Sequence, residues 1–418
     1  MRALRIIFSR LNLIKFGLLL FSIFPLIPNK IKGFPVIYAF IFSLILYLRT
    51  KKKKINWNFF LINSGIFSSY IFSLLYTSNL KYAIKNFETS LSLLITPLVF
   101  ALIWGFKDEI DFNNLKVKII SVFYNVVFLY SIIVCCYLLY IGRLSYLNDP
   151  NFFRHFIEFL PLIGQHSIYA SIFLSLGLLF SINLFNLKSS INSRISILLK
   201  NIVISILLVS LASKGVLLAT FITVIFYCLS IIKKNQKRIL IILLIIFLGA
   251  LSIKFSPSLS KRISSFKLAL RVQSNDGNLS STQTRKEIYI CSLEALSKNW
   301  VFGYGIGDVK DTLMECYKNT SEYLTKGEFN THNQYLSILL SSGLVGLFLL
   351  FIFLFYNLRL FIKSENYFFF SVFIFYLITM FFENILERQS GVILFSFLIN
   401  FFSFISFDKS QKNKSLID

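Results

Sequence analysis

The sequence is short of charge, and above all of negative charge. Charged residues fill 15% of its 418 positions, against the ~25% usual in globular chains. Only 19 are acidic, while 43 are Lys or Arg. The sequence has three His and five Cys, and each scarcity excludes something. Three His without a tight two-ligand spacing argue against a metal centre. Five Cys do not make a disulfide framework. Cys135, Cys136 and Cys228 fall in apolar runs as small packing residues, which leaves Cys291 and Cys316 as a pair that an oxidising compartment could bridge, a point left open here. The net charge of +24 would suit nucleic acid if it formed a basic domain. The basic residues instead lie scattered between apolar runs, as lipid-headgroup and topology markers do, so no nucleic-acid partner is expected. No internal repeat of the transporter kind is visible.

Apolar side chains are what the sequence has in abundance. They make up 56% of it, aromatics reach 17% with 49 Phe, and mean hydropathy is +0.71. That supplies about a dozen membrane spans of ~20 residues. The fold class that follows is an all-α polytopic membrane protein with about 12 transmembrane helices and one long extracytoplasmic loop carrying short helices. Candidate spans lie near 12–28, 33–48, 57–76, 89–106, 117–141, 165–186, 195–212, 215–232, 238–255, 343–361, 367–383 and 390–407. The organisation is then nine spans over 1–255, a loop over 256–342, three spans over 343–407 and a tail over 408–418. The opening stretch has the basic start and apolar core of a secretory signal but no small-residue cleavage site, and is read as the first span. With a cytoplasmic N-terminus, the loops on that side carry roughly three times as many Lys and Arg as the short loops opposite, so both termini are expected in the cytoplasm. The long loop then lies outside it, as does a shorter one over 142–164.

Candidate chemistry collects on that outer face. In the long loop, Thr284 and Glu287 have capping-box spacing, which predicts Thr284 as a helix N-cap and Arg285 in the first turn. A cation there opposes the macrodipole, a conflict that a bound phosphate would resolve; a solvated surface Arg is the plainer alternative. Further on, Thr331 and Gln334 repeat the spacing and place His332 at a helix N-terminus, where the dipole favours a neutral ring able to take a proton. A structural His is the plainer reading. All three His, His155, His166 and His332, map to the outer face. Between the two helices, Trp300-Val301-Phe302-Gly303-Tyr304-Gly305-Ile306-Gly307 is a poor dinucleotide fingerprint, lacking a preceding strand and the right third spacing. It reads as a glycine turn against aromatics that can offer N–H groups to a substrate. Ser213-Lys214-Gly215 sits at an outer hairpin, where Lys214 either snorkels or meets a second phosphate. Arg154, His155, Gln165 and His166 complete the polar set.

Arg285 with the helix behind it, the Phe302–Gly307 turn, His332-Asn333-Gln334-Tyr335-Leu336 and Ser342-Gly343-Leu344-Val345-Gly346 together resemble the bacterial O-antigen ligase and O-antigen polymerase family. The pattern over roughly 280–350 is specific, and Ser213-Lys214-Gly215 and Gln165-His166-Ser167 extend it more weakly. Two departures stand out: Lys214 occupies a position usually filled by Arg, and Tyr289 or a neighbour stands where Trp is usual. The resemblance implies a cofactor-free, metal-independent, inverting glycosyl transfer at the periplasmic face of the inner membrane. The donor is a glycan on undecaprenyl diphosphate and the acceptor lipid A-core, as in a ligase. In a polymerase the acceptor would be the next lipid-linked repeat unit. It also implies that Arg285 and Lys214 stabilise the leaving diphosphate, that His332 deprotonates the acceptor, and that Asn333, His166 and Arg154 contact substrate. No glycosidase-type carboxylate pair is apparent in the loop, which argues against a covalent intermediate. A polysaccharide flippase, the alternative from another class, needs charges in a central cavity that these spans almost lack.

Overall fold

The computed structural model describes residues 2–50, 54–188, 190–232 and 281–414, with the single positions 236 and 260. Among the described residues all regular structure is helical, with no strand. A bilayer demands this, because a spanning backbone must satisfy its N–H and C=O groups within its own segment or a closed barrel. The expected ninth span at 238–255, the first part of the long loop at 256–280 and the end of the tail at 415–418 lie outside the described residues.

The helices are α1 (Arg2–Leu20), α2 (Phe34–Arg49), α3 (Trp57–Asn63), α4 (Gly65–Ser73), α5 (Leu80–Ser90), α6 (Ser92–Leu102), α7 (Phe112–Tyr140), α8 (Pro150–Glu158), α9 (Ser167–Leu187), α10 (Ile191–Leu211), α11 (Lys214–Ile231), α12 (Ser281–Lys298), α13 (Val309–Thr320), α14 (Glu322–Gly327), α15 (Gln334–Lys363), α16 (Tyr367–Met380) and α17 (Gln389–Lys414). Among the described residues, seven segments are long and apolar enough to cross a membrane: Asn29–Arg49, α7, α9, α10, α11, α15 and Gln389–Phe407. The expected count of twelve is therefore not reached by unbroken helices here. The 57–76 run splits at Ser64, whose hydroxyl turns back to the Phe60 carbonyl at 2.8 Å, beside Asn63, whose amide bonds the Phe59 carbonyl. Side-chain competition of this sort weakens a helix interior. The first run ends in a 3₁₀ turn around Pro25, where a missing N–H and fixed φ stop an α-helix.

Two helices form the inner layer. Of the apolar window of α17, 94% is buried, and of α9, 72%, against a third or less for α10 and α11. The outer helices present Ile195, Leu198, Leu199 and Ile202 outward, as lipid-facing surfaces do. Inside, α17 packs on α6 and α15, α11 on α16, and α9 on α7, α10 and α11.

α15 is bent. It begins at Gln334, well before the expected start at 343, and at Gly343 its backbone leaves the helix with φ +58°. A Cβ there would sit 2.1 Å from the Val301 carbonyl oxygen, so only glycine fits. The 300–307 turn fills the bend: Tyr304 N–H donates to Leu340 O at 2.7 Å, Gly305 N–H to Ser341 O at 2.9 Å, and Leu344 N–H to Val301 O at 2.9 Å. Above this interlock, α12, α13 and α14 form a small cap. Its own cluster of Ile288, Ala295, Leu296, Leu313, Tyr317 and Leu324 reaches Leu340 of α15. A disulfide between Cys291 and Cys316 ties α12 to α13, with Cα atoms 5.7 Å apart, the pairing that spacing alone left open.

Candidate functional site

Three strips of chain meet at the end of the bundle where α9, α11, α15 and α17 begin. The first is α12, which carries Arg285. The second is the strip that enters α15, which carries His332. The third is the turn Phe381–Arg388 between α16 and α17, which carries Glu383. Arg285 Nη2 donates to Glu383 Oε1 at 2.5 Å, and His332 Nδ1 lies 3.1 Å from Glu383 Oε2. One carboxylate thus joins residues 98 and 51 positions away in the chain.

Burial alone would raise the Glu383 pKa, but the His332 hydrogen bond and the Arg285 charge outweigh it and hold the group below the usual carboxylate range. An ionised carboxylate only accepts. The proton between the two side chains therefore belongs to His332 Nδ1, which leaves Nε2 as the nitrogen turned to other partners. Arg285 spends one guanidinium nitrogen on this contact, and its planar fork keeps further N–H donors for another anion.

The local geometry differs from the sequence expectation in two places. Thr284 is not an N-cap: α12 already includes Ser281, so Arg285 sits beyond the first turn. The macrodipole conflict dissolves, and the anion that answers Arg285 is Glu383. Asn333, not Thr331, caps α15, its side-chain oxygen accepting from Tyr335 N–H at 3.0 Å and Leu336 N–H at 3.1 Å. The Asn333 side-chain oxygen, in a residue expected to contact substrate, is thus engaged with its own helix. Thr331 instead donates to Asn384 Oδ1 at 3.0 Å, in the Glu383 turn. His332 itself has φ +46°, a left-handed conformation unusual for a residue with a Cβ and typical of functional sites. Its N–H bonds Asn330 Oδ1 at 3.2 Å, and its carbonyl receives the Tyr289 hydroxyl at 3.5 Å.

The other expected site residues border this centre. Lys214 opens α11 with Gly215 beside it, and a Cβ on Gly215 would fall 2.4 Å from Phe382 Cβ. The hairpin is therefore pressed against the residue next to Glu383. Arg154 is committed to that hairpin, donating to Leu211 O at 2.8 Å, Ala212 O at 3.3 Å and Ser213 Oγ at 3.2 Å. It holds carbonyls that a helix end leaves open. His166 lies 3.5 Å from Glu158. Its pKa is pushed down first by burial and then by Arg388, with Arg154 acting in the same direction and Glu158 and Glu383 opposing, so the ring stays neutral near pH 7. His155 is exposed, its ring tilted against Phe159 with centroids 4.5 Å apart. Lys32, just before α2, is buried; it donates to Gln165 Oε1 and, at 2.6 Å, to Ser390 Oγ. Four N–H groups of the glycine turn are taken within the fold and are not offered to substrate. Besides Tyr304 and Gly305, Ile306 N–H donates to Ser73 Oγ and Gly307 N–H to Thr77 Oγ1.

Sequence reasoning missed the 381–388 turn. Glu383, Asn384, Glu387 and Arg388 form a polar knot between two apolar runs in a chain with only 19 acidic residues. That contrast was the available signal.

Residues 200–351 match the model of a family described as O-antigen ligase. This bears out the resemblance carried by the 280–350 motifs, and the chain is a multi-pass membrane protein of that likeness. The matched stretch contains Lys214, Arg285 and His332 but ends before Glu383. No curated protein matches the chain.

Proposed function

We propose, from this likeness to O-antigen ligases and from the Arg285–Glu383–His332 junction, that the protein is a membrane glycosyltransferase. It moves a glycan from undecaprenyl diphosphate to lipid A-core at the periplasmic face of the inner membrane. The junction is the observation that carries the reading. A histidine whose Nδ1 is held by an ionised carboxylate presents Nε2 as a general base, the logic by which a carboxylate fixes the tautomer in a catalytic triad. His332 Nε2 takes the proton of the acceptor hydroxyl as its oxygen attacks the anomeric carbon. The bond from that carbon to the diphosphate oxygen breaks, and its electron pair leaves with the diphosphate, inverting the centre. Arg285, with donors to spare beyond Glu383, and Lys214 on the adjoining hairpin stabilise the leaving charge. Lys214 supplies charge without bidentate geometry.

The outer location is supported by the lysine and arginine bias of the loops and by the Cys291–Cys316 disulfide, which belongs to an oxidising compartment. The test is the lipopolysaccharide of a deletion strain. Loss of all attached chains with lipid-linked polymer accumulating is expected, and restoration by the native gene but not by His332→Ala. Core carrying a single repeat would mark a polymerase instead, and normal attachment would end the proposal.

A further inference from the structure

Beside the 383–387 turn lies a cavity of about 70 Å³, lined by Leu386 and Glu387 but not by Arg285 or His332, that the mechanism above does not use. By the space one water requires, it has room for roughly five waters, comparable to the edge of one sugar ring. Its walls include Tyr82, Asn86, Phe329, Asn330, Ser337 and Glu387. Hydroxyl, amide, carboxylate and aromatic faces in one small space are the chemistry that receives a sugar's hydroxyls and its apolar ring face.

Charge distinguishes this cavity from the Arg285–Glu383 junction. Glu387 accepts from Asn330 Nδ2 at 2.8 Å, from Ser337 Oγ at 2.5 Å and from Asn384 Nδ2, and no cation among the described residues pairs with it. The cavity's one lysine, Lys310, is bonded to Glu328 at 2.5 Å. A diphosphate would meet net negative charge here, whereas an uncharged polyol would meet acceptors. The cavity also adjoins the base: Asn330 and Thr331 line it directly before His332, and the Phe329 ring lies 6.2 Å from the imidazole.

We propose that this cavity is a saccharide subsite, taking one uncharged pyranose of the donor or acceptor glycan while the diphosphate lies on the Arg285 side. The assignment rests on the glycosyl-transfer reading. Saturation-transfer NMR on the full chain in detergent, with methyl glucoside, methyl galactoside and methyl N-acetylglucosaminide as probes, tests binding without turnover. At least one sugar should show saturation, weakened about tenfold or more in Asn86→Leu, which removes a polar wall group and its bond to Ile306 O, and retained in His332→Ala. In transfer assays Asn86→Leu should raise KM about tenfold for one glycan, the donor or the acceptor, with kcat little changed, and the affected substrate identifies which sugar the site holds. Should Asn86→Leu fail to assemble, Tyr82→Phe serves with the same readouts. Saturation or KM values equal to the native protein's in an assembled variant overturn the subsite. Sugar binding by a native protein that shows no transferase activity would instead count against the glycosyl-transfer reading.

Discussion

The bundle buries one apolar cluster that runs from Leu11 to Ile405, whereas the cap of α12–α14 buries a small cluster and adds the Cys291–Cys316 disulfide and the Lys310–Glu328 pair. The bundle needs no staple, because its apolar area is large and its surroundings are lipid. The cap stands in water with a core too small to hold itself, the situation in which small domains recruit cross-links. The candidate site lies on the seam. Arg285 belongs to the cap, His332 to the strip leading into α15, and Glu383 to a turn of the bundle. Reaction geometry therefore depends on how the two regions dock, while the stability of each is separately set.

That contrast can be broken at the seam first. His332→Ala should lower transfer by about 10²–10⁴-fold with normal membrane expression, the range expected for loss of a general base; near-normal transfer would remove it from the mechanism. Glu383→Gln keeps the side chain's shape but cannot hold both partners as an anion, and a loss of about 10²-fold is expected with the cap still docked. An unaffected rate would make the carboxylate a purely structural clasp. Arg285→Lys keeps the charge and loses the fork, so about a tenfold fall in kcat is expected in steady-state assays.

Two further tests sharpen the comparison through stability. Removing the bridge by Cys291→Ser with Cys316→Ser should weaken the cap by about 2–4 kcal/mol. Limited proteolysis and hydrogen exchange should report this within 281–327, with exchange in α9 and α17 unchanged; equal loosening of both regions would contradict the division. Acid should act in the same place and more mildly. The Glu383 pKa is depressed in the folded state, so its contribution to docking is complete above the unfolded value of about 4.3. It is lost as pH falls through the lower folded value. Exchange protection around Arg285 should therefore be flat from neutral pH down to about pH 4.3 and fall below it; loss of protection near neutrality would reverse the sign.

Much of the bundle was legible beforehand. The runs expected at 117–141, 165–186, 195–212 and 215–232 appear as α7, α9, α10 and α11 with ends displaced by a few residues, since lipid imposes a length and a polarity on each span. Breaks inside runs were harder to see, because Ser64 and Gly343 act through local backbone competition and close approach, which hydropathy does not register. At the site, a rule of spacing placed Thr284 and Thr331 as caps, and both were displaced: α12 begins upstream, and Asn333 makes the better-placed bonds. Glu383 went unread because the polar stretch around it, though it contrasts with its apolar flanks, carries no spacing that names a role. Its partners arrive from α12 and from the entry to α15.

The sequence by itself determined that this is a helical membrane protein with a polar loop carrying two cysteines, because composition and hydropathy act through the solvent and need no knowledge of neighbours. It also supplied Arg285 and His332 as unusual residues in a specific order. Only the tertiary structure decided that one carboxylate joins them, that Cys291 bonds Cys316, that the glycine turn packs into the bend of α15, and that a cavity opens beside Glu387. These depend on which distant segments come within hydrogen-bond reach, a property of packing that no local pattern along the chain encodes.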